Sequence, residues 1–272
     1  MNYDWARTPD ATRESMLTRI WIIATNTFRE AVRDRILYNL VVFALLIIAA
    51  SVLIGDLSGG QETRIITNLG LAATFIFGIS IAIFVGVSLI SKEIDKRTVF
   101  AIFAKPVGRG EFIIGRFFGL VATLLLNIAV MGCGVIAVSM VIGDGSLTRG
   151  IAQASLMIFF EVTVVTAIAV LFSSFSSPAL SALLSFLIVV IGHFSGTLAM
   201  IAERTSDGFS RTLLYGIYYL FPNLSNFTFI SEVAGGRDVP VSMMLNGLLY
   251  AASYSAAMVA IAVMIFRRRN FK

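Results

Sequence analysis

Six stretches of this sequence run for about twenty residues with almost no charge, and a backbone in such a run has few options. A helix needs about 20 apolar residues to cross ~30 Å of hydrocarbon. Inside lipid every N–H and C=O must find its partner within the segment, which a helix alone achieves locally. The stretches are Ile36–Ile54, Leu69–Ile90, Phe117–Ile142, Ala154–Phe172, Ala179–Met200 and Ser242–Phe266. Four of them carry no charge, while the fourth in order holds Glu161 and the fifth holds His193. The expected fold is therefore an all-α membrane protein with six transmembrane helices. With 57% hydrophobic and 14% charged residues, no polar stretch is long enough for a soluble domain. Residues 1–272 read as one transmembrane domain.

The Lys and Arg residues orient the helices. Sixteen lie before the first stretch, between the second and third, or after the sixth; only Arg64, Arg149, Arg204, Arg211 and Arg237 lie in the other loops. Basic loops stay in the cytoplasm, so both termini are expected there. The same bias accounts for the net charge of +5 without invoking nucleic acid. No cleavable export signal is expected, since the first 35 residues are charged. Cys133, the single cysteine, sits in an apolar run and excludes an internal disulfide.

Two segments outside the spans are amphipathic. Over Met16–Arg35, Leu17, Ile20, Trp21, Ala24, Phe28 and Ala31 recur at three- and four-residue spacing among arginines. That pattern predicts a helix in the cytoplasmic interface, or a solvated extension of the first span. The run Thr212–Ile230 is aromatic and aliphatic but is interrupted by Pro222, Asn223, Ser225 and Asn226. It reads as a re-entrant or interfacial element within the outer loop 201–241, with Tyr215, Tyr218 and Tyr219 at headgroup depth. Counting it as a seventh span would place Arg267–Arg269 outside.

The cytoplasmic loop 91–116 reads SKEIDKRTVFAIFAKPVGRGEFIIGR. Alternating charges lead into the apolar patch Val99–Ala104, and Pro106, Gly108 and Gly110 end any helix there. A short helix with one apolar face and charged ends suits a protein partner; a loop that only fixes topology would need no such patch. At these residues the chain resembles the permease subunits of ABC-2 type ABC transporters. The shared pattern is Glu93-Ile94-Asp95, Thr98, Ile102-Phe103, Lys105-Pro106-Val107, Arg109 and Gly115-Arg116. Arg97 stands where many members have Gly, and Gly108 where many have Ser. The run Tyr219-Leu220-Phe221-Pro222-Asn223-Leu224 is similar to the family's segment before the last span.

The resemblance implies a permease that pairs with a second permease subunit, identical or not, in the cytoplasmic membrane of a prokaryote, probed on its faces by membrane lipids. It implies an ABC ATP-binding subunit beneath, gripping a coupling element formed or flanked by Glu93, Asp95, Lys96, Arg97, Thr98, Lys105, Pro106 and Arg109. ATP and Mg belong to that partner, because this chain has no G-x-x-x-x-G-K-[ST] and no cofactor of its own is expected. Export is the expected direction, and the substrate stays open.

Charge inside a span marks a functional candidate. Measured from a turn near Ser176, Glu161 and His193 lie about 22 and 25 Å up neighbouring helices at ~1.5 Å per residue. Side by side, they would serve as a polar point on a substrate path or as a clasp between helices. Asn127, mid-span, reads as helix–helix glue or a further polar point. Gly115–Gly119 and Gly192–Gly196 have the G-x-x-x-G spacing of close helix approach. Ser177-Pro178 has the form of an N-cap with proline in the first turn.

Other functions lack equipment. Ser195 is too close to His193 on one helix for a serine dyad, and there is no H-E-x-x-H or carboxylate cluster for a metal. A secondary transporter would show repeats and several intramembrane ions. A channel needs a polar ring, which an oligomer could supply, and a non-transporting scaffold could use the basic loop as a dock.

Overall fold

The computed structural model describes residues 16–56, 60–95, 108–142, 145–205 and 207–268. Among these, every regular element is helical. In chain order they are α1 (Met16–Val32), α2 (Arg35–Asp56), α3 (Glu62–Asp95), α4 (Arg109–Ile142), α5 (Thr148–Ser173), α6 (Pro178–His193), α7 (Ser195–Arg204), α8 (Gly208–Leu220), a 3-10 turn (Leu224–Phe227), α9 (Ile230–Ala234) and α10 (Val241–Arg268).

Among the described residues, four helices are long and apolar enough to cross a membrane: α3 over Glu62–Ser88, α4, α5 and α10. The pair α6 and α7 makes a fifth if the two count as one span. The apolar part of α2, Leu40–Leu53, is shorter. α5 is the centre of the bundle. It packs against α3, α4, α6 and α10, and its apolar wall from Val162 to Val170 is almost wholly buried.

The fifth stretch, expected as one continuous helix from Ala179 to Met200, is bent by 52° between His193 and Ser195. Local packing accounts for the break. A Cβ on Gly192 would lie 2.7 Å from the Pro222 carbonyl oxygen, so the outer segment presses directly on the helix backbone here. Ser195 Oγ has two acceptors for its one hydrogen, the Gly192 carbonyl at 2.8 Å and Asn223 Oδ1 at 2.7 Å. Ser225 donates to the same Asn223 oxygen at 2.6 Å, and the Asn223 N–H donates to the Tyr250 hydroxyl at 2.9 Å. The helix can turn at this depth because buried polar groups and a neighbouring backbone cover the break.

The outer run Thr212–Ile230 divides at Pro222. α8 stops before it because proline disfavours helix in the preceding residue, and Phe221 is extended, with φ −98° and ψ 152°. The following 3-10 turn inserts Leu224 and Phe227 fully into the bundle. α8 packs on α7 but buries none of its own residues; Tyr219 stacks with Tyr215 and meets Tyr218 edge-on.

The G-x-x-x-G pair on α4 is a docking site within the chain. A Cβ on Gly119 would fall 2.5 Å from the Ala24 carbonyl oxygen, and one on Gly115 would fall 2.7 Å from Ile23. α1 thus lies against the first half of α4, burying Ala24, Thr27 and Ala31 while Leu17 and Trp21 stay exposed. Pro178 begins α6 at its first turn as its sequence position predicts, with Ser177 extended before it and no hydroxyl bond to the helix.

Candidate functional site

Two places gather the chemistry that the sequence singles out. The first is the basic end of the bundle. α3 and α4 each have 34 residues, about 51 Å at ~1.5 Å per residue, well beyond ~30 Å of hydrocarbon. α3 continues some 10 Å past Ser88 and carries Glu93 and Asp95 at its end. α4 starts at Arg109, some 12 Å before its apolar run begins at Phe117. Both ends of the segment 96–108 are therefore helix ends that outreach the apolar core. Lys96, Arg97, Thr98, Lys105 and Pro106 lie outside the described residues.

The start of α4 is held by groups from distant parts of the chain. Glu111 reaches back to accept the Gly108 N–H at 3.1 Å, the reciprocal half of a capping box. Arg109 Nη1 donates to the Arg267 carbonyl at 3.1 Å, joining α4 to the end of α10. Arg116, itself buried, pairs with Glu30 of α1 at 2.9 Å and sits over the Phe112 ring. Arg19 lies 3.7 Å from Glu111. Sequence reasoning placed Arg19 on the interfacial helix, Arg109 at the coupling element and Arg116 in the family pattern, and named none of these pairings. The one cue to their pairing was the Gly115–Gly119 step that lets α1 approach.

The second place is within the membrane. Glu161 on α5 is 1% exposed, and His193 Nε2 lies 3.2 Å from its Oε1. That is ion-pair reach, although the two atoms are not aligned as a hydrogen bond. His193 Nδ1 is 3.0 Å from the Val189 carbonyl. A carbonyl only accepts, so Nδ1 carries the hydrogen of this bond. Nε2 then bears a proton only on a charged ring. Phe75 of α3 packs edge-on to the imidazole at 5.1 Å between ring centroids. Three helices thus meet at the point where α6 breaks.

Asn127 does not join this pair. It is buried on α4, and its Nδ2 has no partner among the described residues. Ser195, beside His193 in sequence, directs its hydroxyl to Gly192 and Asn223 instead. Among the described residues no group of three His, Cys, Asp or Glu side chains could hold a metal. Cys133 is a free, exposed thiol.

Helices of this length and hydropathy around a buried Glu–His pair define a multi-pass α-helical membrane protein. Residues 21–271 match the family described as ABC-2 family transporter protein, so the chain belongs to that family. It is a membrane component of an ABC transporter, a part that carries out transport and is not itself catalytic. Permeases of this family work with an ABC ATP-binding partner. No match is found among curated proteins.

Proposed function

We propose that the chain is the permease subunit of an ATP-driven exporter in a prokaryotic cytoplasmic membrane. The observation that carries the reading is the family match over residues 21–271, joined to two long helices that end beyond the apolar core on either side of segment 96–108. In this reading α2 and the bent pair α6–α7 complete six spans, with both termini in the cytoplasm. The Lys and Arg asymmetry supports that orientation. α1 lies along the cytoplasmic interface with Leu17 and Trp21 toward lipid, and α8 lies along the outer one.

Glu93, Asp95, Lys96, Arg97, Thr98, Lys105, Pro106 and Arg109 form or flank the element that an ATP-binding subunit grips. That subunit brings ATP and Mg. A second permease subunit completes the membrane part. Closing of the ATP-binding pair pushes on the ends of α3 and α4, and rigid helices carry the movement to the depth of Glu161 and His193. These two, with Asn127, are the polar points available to a substrate path; the alternative role for the Glu–His pair is a clasp that holds α5 to α6.

The test is purification of the tagged chain from its native membrane in mild detergent. A co-purifying P-loop subunit and ATP hydrolysis by the complex are expected. A chain that emerges alone from several detergents, with no associated ATPase, would turn the reading to a channel or a scaffold.

A further inference from the structure

A groove of about 730 Å³ runs between α4, α5 and α10, within the ~300–1,000 Å³ of ordinary ligand clefts. Its origin is legible in side-chain size. α4 and α10 meet where Phe112 stacks on Phe266 and where Gly110 faces Val263. Beyond that contact the wall from α10 is built of small residues, among them Ala252, Ala256 and Ala260, which leave the space beside Phe117, Phe118 and Phe159 unfilled.

The lining is mostly apolar, with Thr163 and Ser255 as its hydroxyl-bearing residues, and at one end stands Arg267. Arg267 is exposed, and no carboxylate pairs with its guanidinium among the described residues. Its backbone carbonyl, by contrast, is occupied by Arg109, and Arg268 follows on the same helix end. The α10 side of the groove runs from Arg267 to Leu248, about 28 Å at ~1.5 Å per residue, so the half nearest Arg267 is as deep as one leaflet of a ~30 Å hydrocarbon core.

The groove is separate from the Glu161–His193 pair. At ~100° per residue, Glu161 points about 150° away from the side of α5 that carries Phe159, Phe160 and Thr163, the three residues that α5 gives to the groove.

We propose that this groove holds one anionic phospholipid, its acyl chain along α10 and its phosphate at Arg267. Charge complementarity fixes the occupant. A crevice in lipid-facing helices fills with hydrocarbon, and a cation with no carboxylate partner among the described residues selects lipids of negative charge at headgroup level. A neighbouring protein helix would fill the crevice equally well but would gain from Arg267 only by bringing a carboxylate or its C-terminal carbonyls to that end.

Native mass spectrometry of the full-length chain, released from nanodiscs of equal phosphatidylglycerol and phosphatidylcholine, tests this. One phosphatidylglycerol per chain is expected to survive a detergent wash that removes phosphatidylcholine. Arg267→Gln should lower that retention about fivefold, the worth of one cation beside an anionic headgroup. Ala260→Phe, which fills the groove, should abolish it. Arg267 is exposed at a helix end, so its variant decides the matter even if Ala260→Phe does not fold. Equal retention of both lipids by the wild type overturns the proposal, as does unchanged phosphatidylglycerol retention in Arg267→Gln. Loss of a protein contact in Ala260→Phe with lipid retention intact would identify the groove as a protein interface and overturn it too.

Discussion

The His193 Nε2 atom faces Glu161 Oε1 at 3.2 Å while the other ring nitrogen is committed to the Val189 carbonyl. With Nδ1 donating, the contact is favourable only when one proton is held between the two groups. The proton sits either on the ring, facing a carboxylate, or on the carboxyl, facing a neutral ring. The pair therefore behaves as a unit. In a double-mutant cycle, Glu161→Leu and His193→Leu should show a coupling of about 1 kcal/mol or more. Glu161→Gln, whose amide can donate to Nε2, should cost less than Glu161→Leu. Unfolding measured in detergent reads both, and additive single effects would remove the pairing.

Charge at the end of α3 tests coupling. Glu93→Lys together with Asp95→Lys should leave the chain inserted and associated with its permease partner while ATPase stimulation falls severalfold, because reversed charge opposes docking at a protein interface. Unaltered stimulation in that variant counts against the coupling assignment.

Docking of α1 depends on two hydrogens where other residues have a side chain. Gly119→Val would drive its side chain into the Ala24 carbonyl, since even a Cβ falls 2.5 Å from that oxygen. The expected loss is about 1–3 kcal/mol, seen as faster limited proteolysis between α1 and α2. Gly216→Val, at a glycine of α8 with nothing within 4 Å of its would-be Cβ, is the matched control and should leave the cleavage rate unchanged.

The break between α6 and α7 hangs on Asn223. Its Oδ1 accepts from Ser195 and Ser225 at once. Asn223→Ala should destabilise the chain by about 1 kcal/mol, the net worth of the hydrogen bonds lost, since Ser195 can still donate to the Gly192 carbonyl. Ser225→Ala, which removes one donor of the two, should cost less. Thermal unfolding of the two variants side by side gives the order, and the reverse order would show that the bend is held elsewhere.

Asp207 supplies the pH dependence. It caps α8, accepting from the Ser210 backbone N–H at 2.9 Å and its hydroxyl at 2.6 Å. The Ser210 hydroxyl first, then the backbone N–H, hold its carboxyl below the usual range. A depressed carboxylate contributes stability that is present above the ordinary carboxylate range and is lost as pH falls through its lowered value. Hydrogen exchange at the Ser210 amide should therefore lose protection only on acidification, whereas Asp207→Ala should lack that protection at every pH. A wild-type protection factor that stays flat into acid would refute the cap.

The helical class was legible from length and charge alone, because lipid leaves an apolar backbone run no alternative to a helix. The loop residues Glu93 to Arg109 were legible as a pattern, and the family match over residues 21–271 agrees with what that pattern implied. The level of Glu161 and His193 followed from counting along two helices joined by a short turn, and the two side chains lie 3.2 Å apart. Their role and that of Asn127 do not follow from it. The bend after His193 was hidden, since Gly192-His193-Phe194-Ser195-Gly196 lies inside the apolar run Ala179–Met200, which has no proline to break it. Only the approach of Pro222 and Asn223 from about thirty residues further along turns the helix there.

What the sequence determined by itself was a set of local and one-dimensional properties: which segments suit lipid, which loops keep their arginines on one side, and where a proline stops a helix. These depend on a residue and its near neighbours. Tertiary structure decided which arginines found carboxylates, which glycines met a backbone and where small side chains left a groove beside Arg267. Those outcomes depend on which faces of separate helices come together, and side-chain volume and hydrogen bonds across the bundle set that only once all the helices are packed.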